Sequence, residues 1–61
     1  MLRFRVGDRV MLKKAWRDVT PDKVGHIVSI DRGHGILSTW ITVRFDSGLV
    51  AKHAPSELTW R

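Results

Sequence analysis

The sequence predicts an all-β fold: a small five-stranded barrel with a 3₁₀ turn before the last strand. Three observations carry this expectation. Apolar residues recur with period two, the spacing of half-buried strands, and helical periodicity is poor throughout. Glycine, proline, aspartate and serine break the apolar runs at short intervals, as tight turns require. With 61 residues, the chain has room for one domain, residues 1–61, and one core. Five short strands cannot all be covered in a flat sheet of this size, so the sheet is expected to curl and bury its inner face.

Each element follows from its residues. Leu2, Phe4 and Val6 alternate with Arg3 and Arg5, and after Gly7-Asp8 the residues Val10 and Leu12 alternate with Arg9, Met11 and Lys13; the whole stretch reads as strand one. Ala15 to Lys23 has no clean period, and Thr20-Pro21-Asp22 suits a turn, so this is a long loop. The β-branched residues Val24, Ile27, Val28 and Ile30 mark strand two, Val24 to Asp31, where Gly25 signals a bulge or a close backbone approach. Asp31-Arg32-Gly33-His34-Gly35 reads as a hairpin connection that uses glycines at positive φ. Ile41, Val43 and Phe45, alternating with Thr42 and Arg44, form strand three; Asp46-Ser47-Gly48 turns the chain into strand four, Leu49 to about His53. Pro55 suits the first position of the turn Ala54-Pro55-Ser56-Glu57, and Leu58 to Arg61 closes as strand five. The predicted inner face holds Phe4 or Val6, Val10, Leu12, Val28, Ile30, Ile41, Val43, Phe45 and Leu58, filling the interior without a ligand cavity.

Several of these segments resemble the SH3-like barrels of the KOW and Tudor type. Val6-Gly7-Asp8-Arg9-Val10 is similar to their opening strand, Lys23-Val24-Gly25-His26-Ile27-Val28-Ser29-Ile30 to the KOW pattern, and Val43-Arg44-Phe45-Asp46-Ser47-Gly48 to the strand and turn that follow. Pro55-Ser56-Glu57-Leu58 looks like the short turn into their last strand. The resemblance implies binding rather than catalysis: KOW domains contact RNA, DNA or proteins, and Tudor domains read methylated side chains. Gly7-Asp8-Arg9-Val10, Lys13-Lys14, Ala15-Trp16 and Ile27-Val28 also resemble the first half of type II dihydrofolate reductases. That activity needs a Val-Gln-Ile-Tyr strand, and the nearest stretch, Leu49-Val50-Ala51-Lys52-His53, has neither the glutamine nor the tyrosine. No enzyme activity is expected.

Composition narrows the setting. The chain is 43% hydrophobic and 28% charged, as in soluble globular domains, and it lacks cysteine, so a cytoplasmic home without disulfides or a thiolate zinc site is expected. Arg3, Arg5, Asp8 and Arg9 interrupt any apolar leader, and neither a membrane association nor a cofactor is expected. A small core leaves room for a weak homodimer.

Charge points to a partner. The net charge is +5, and residues 1–17 contribute Arg3, Arg5, Arg9, Lys13, Lys14 and Arg17 against Asp8 alone, while the remaining residues balance. Arg3, Arg5, Arg9 and Lys13 share the outward parity of strand one, so they form a candidate stripe along a phosphate backbone, with Lys14 and Arg17 extending it. Trp16 lies in the basic loop, and Trp40 shares the parity of Thr42 and Arg44; either ring could stack on a base beside a cation, whereas Trp60 is expected in the core. The expected nucleic-acid contacts are therefore Arg3, Arg5, Arg9, Lys13, Lys14, Trp16, Arg17, Trp40 and Arg44, to either RNA or DNA. His26, His34 and His53 match no compact metal site, and Ser29, Ser47 and Ser56 stand in no nucleophile context. The competing expectation is a bacterial or phage protein-interaction adaptor that uses an exposed strand, with Met11 and Trp40 at its surface.

Overall fold

The structure, a computed structural model, describes residues 3–33 and 38–61. Five strands are assigned: β1 (Arg9–Leu12), β2 (Val24–Arg32), β3 (Thr39–Phe45), β4 (Val50–His53) and β5 (Leu58–Trp60). They form one antiparallel sheet in the order β4-β3-β2-β1-β5. A 3₁₀ turn at Lys13–Ala15 follows β1, and a second, Pro55–Glu57, leads into β5 as expected. No ladder joins β4 to β5 among the described residues, so the sheet is all-β and continuous but not closed by pairing. None of the described helices is long and apolar enough to cross a membrane.

Strand one is shorter than its alternation suggests. Residues 3–8 lie outside any strand, and a turn at Val6-Gly7, with Gly7 at φ 95°, separates them from β1. Phe4 enters the core, whereas Val6 stays exposed. The tight turn before β4 is as expected, with Gly48 at φ 97°. Strand two, in contrast, runs one residue past its expected end at Asp31, through Arg32. Gly33 does not take a positive φ, and its amide donates to the Ser38 carbonyl at 3.3 Å. The expected turn residues His34 and Gly35 lie outside the described residues.

The main core contains Phe4, Val10, Ile27, Ile41, Val43, Phe45 and Leu58, with Leu12, Ile30 and Ala51 packed at its margin. Here the expected role of Val28 is overturned. Ile27 pairs with Val43 and Ser29 with Thr42, leaving Val28 as an inserted residue in a bulge. The insertion shifts the alternation, so Ile27 and Ile30 both reach the inner face while Val28 is 39% exposed. Gly25 meets its expectation of close approach: a Cβ there would lie 2.2 Å from the Arg44 carbonyl oxygen.

A second cluster lies on the other face. Met11 has the outward parity of Arg9, yet it is buried with Ala15 and Val24. The Lys13–Ala15 turn folds over this end of the outer face and covers it. The apolar surface assigned to Met11 in the adaptor expectation is therefore absent.

Candidate nucleic-acid interface

The structure does not gather the predicted basic residues into one stripe. Arg3 and Arg5 are exposed in the coil before β1 rather than on a strand. The Arg5 backbone N–H donates to Asp8 Oδ2 at 3.0 Å, and the Trp60 indole N–H donates to the same oxygen at 3.0 Å. These two donors, the indole first, hold the Asp8 carboxyl below its ordinary range. Trp60 is thus not a core residue: it remains 51% exposed, with its ring 4.4 Å from that of Phe4.

Arg9 reaches over β2 to the turn after β3. Its Nη1 and Nη2 donate to Oδ1 and Oδ2 of Asp46 at 2.7 and 2.6 Å. The paired hydrogen bonds lower the Asp46 carboxyl and raise the guanidinium still further above neutrality. Arg9 is therefore engaged within the protein, and a phosphate would have to compete with a bidentate carboxylate for it.

Lys13 and Lys14 turn away to a different place. With Leu12, His53, Ser56 and Glu57 they line a groove of about 420 Å³ beside the Pro55–Glu57 turn. Glu57 is fixed there: its Oε1 accepts from the Ala54 amide at 3.0 Å, and its Oε2 lies 3.1 Å from His53 Nδ1. The Ala54 amide and then His53 keep the Glu57 carboxyl below its usual range. Parity alone carried no sign of this groove, because it needs the end of β1, the Lys13–Ala15 turn, the end of β4 and the Pro55–Glu57 turn to converge.

Beyond Ala15 the chain presents an aromatic and a cation together. The Arg17 guanidinium carbon sits 4.3 Å from the centroid of the Trp16 ring, and Trp16 is 68% exposed. Cation and ring attract electrostatically in this arrangement, and both remain open to a ligand.

The outer face of the sheet continues from this loop. Cross-strand register aligns Arg9, His26, Arg44 and Val50 in one row, Ser29, Thr42 and Lys52 in the next, and Asp31 beside Trp40 in the last. Arg44 and Trp40 therefore share a face, as their parity predicted, and Trp40 is 46% exposed. Lys52 was missed, although it alternates with Ala51 and His53 in strand four and shares the outward parity of Val50. Among the described residues Arg44 and Lys52 make no ion pair. Compared with protein-family models, curated proteins and solved structures, the chain finds no match.

Proposed function

We propose that this chain is a small nucleic-acid-binding module, built as an SH3-like barrel of the KOW and Tudor type and acting without catalysis. The observation that carries the reading is the Trp16–Arg17 pair, a ring 68% exposed with a guanidinium stacked on it, in a chain of net charge +5. Aromatic rings beside cations take unpaired bases by stacking while the cations replace counterions on phosphates. The strand order β4-β3-β2-β1-β5, the pairing of β1 with β5 and the 3₁₀ turn between β4 and β5 support the barrel reading.

Fluorescence anisotropy with labelled oligonucleotides across a salt series tests the function. Affinity should fall linearly with salt on logarithmic axes, with a slope of about −0.7 per phosphate neutralised on a single strand. Changing Lys13, Lys14 and Arg17 together to Glu should abolish binding, since attraction becomes repulsion. The fold should survive, because each residue is exposed and such changes cost within about 0.5 kcal/mol. A folded triple variant that binds as tightly as the parent would transfer preference to the adaptor reading. Exposed Trp40, Leu49 and Val50 are what favour an adaptor.

A further inference from the structure

We infer that the outer sheet face is a track for a single strand, with Trp16 and Trp40 as stacking stations at its two ends. The inference rests on the nucleic-acid reading and goes beyond it by assigning strandedness, path and a minimum length. The Trp16 loop is anchored at one end of this face through Ala15, which packs on Met11 and Val24. The row Arg9–His26–Arg44 is two residues further along the strands, and the row of Trp40 is four residues beyond that. At roughly 3.3 Å per residue the two ends are about 20 Å apart.

The floor between the rings suits a polyanion with unpaired bases. Arg44 and Lys52 are exposed cations without carboxylate partners among the described residues, and Ser29 and Thr42 add hydroxyl donors between them. Of the face's acidic groups, Asp46 is already neutralised by Arg9, and Asp31 stands opposite Trp40 at the far end. The cationic excess thus lies between the two rings. A duplex has no free base faces for either ring, so the chemistry selects a single strand. Its bases would stack at the ends and its phosphates would lie over Arg44 and Lys52.

Fluorescein-labelled oligothymidylate and oligouridylate of about 4 and about 12 nucleotides, which span the range of single-strand site sizes on small barrels, test the track. The parent should bind the longer strands more tightly than length statistics alone allow, and should bind a 12-base-pair duplex about tenfold more weakly or worse. Trp40→Ala should weaken the longer strand by about tenfold and leave the shorter one, held at Trp16, unchanged; Trp40→Phe should restore most of the loss. Arg44→Glu with Lys52→Glu provides an independent arm that leaves both rings in place and should also spare the shorter strand. If the triple Glu variant at Lys13, Lys14 and Arg17 abolishes binding while both outer-face variants hold the longer strand like the parent, the track is overturned and the binding module stands. Equal affinity for duplex and single strand overturns the track as well. A parent that binds no oligonucleotide overturns both readings and leaves this face to a protein partner.

Discussion

Gly25 is a point where a single methyl group decides whether the sheet forms. Its missing Cβ admits the Arg44 carbonyl, and any side chain would drive into the β3 backbone rather than into a movable side chain. Gly25→Ala should therefore cost about 3 kcal/mol, read as a lower urea midpoint, a large share of the stability of a chain this small. Two residues away the bulge sets up an internal contrast. Ile27 is fully buried against Val43 and Ile41, whereas its neighbour Val28 lies outside the core. Ile27→Ala should cost about 2–5 kcal/mol by leaving a cavity, and Val28→Ala within about 0.5 kcal/mol. Equal losses at the two positions would show that no bulge sets Val28 outside the core.

Three carboxylates tie elements together, each held below its ordinary range by a different donor set. Asp8 joins the N-terminal coil to β5 through Trp60, Asp46 joins β1 to the turn after β3 through Arg9, and Glu57 fixes the Pro55–Glu57 turn through Ala54 and His53. A carboxyl whose folded pKa is depressed contributes stability that is complete above its unfolded pKa and lost as pH falls through the folded one. The melting temperature should thus hold steady from neutrality down to about pH 5 and fall as pH passes about 4 and below. Asp8→Asn and Asp46→Asn should each flatten part of that fall in a melting series. Asp46 and Glu57 are solvent-exposed and Asp8 is half-buried, so added salt should shrink the contribution of the Arg9–Asp46 pair most directly.

At the scale of the whole molecule, the order β4-β3-β2-β1-β5 sets the first strand beside the last. Val10 pairs with Trp60, Leu12 with Leu58, and the Arg61 amide donates to the Arg9 carbonyl at 3.1 Å. Leu58 is one of the buried core residues, and Trp60 packs on Phe4. Removing residues 58–61 should therefore unfold the entire sheet rather than fray one edge, because Leu58 is one of the few residues that fill its small core. Circular dichroism of the truncated chain checks this: a loss of the strand signal is expected, and a cooperative melt near that of the parent would contradict it. In the intact protein, β-sheet and tryptophan signals should melt at one temperature.

The period-two pattern of Ile41, Val43 and Phe45 was enough to assign β3 and its inner face, since alternation in a regular strand transmits directly to burial. The turn at Asp46-Ser47-Gly48 and the 3₁₀ turn at Pro55 were likewise legible, each resting on a local backbone constraint, and so was the close approach at Gly25, where glycine alone lacks the Cβ that would meet β3. The same alternation misled at Val28, because a bulge is a relation between two strands and leaves no period in one of them. It misled at Met11 because burial of an outward side chain depends on where the Lys13–Ala15 turn lands. The charge excess of residues 1–17 was visible as a number, yet its division among the N-terminal coil, the Asp46 pair, the Glu57 groove and the Trp16 loop was not. Arg9 and Asp46 are 37 residues apart, and only the folded sheet brings them within hydrogen-bonding distance. Local sequence determined which backbone conformations were available; long-range packing decided which charges remained free to meet a partner.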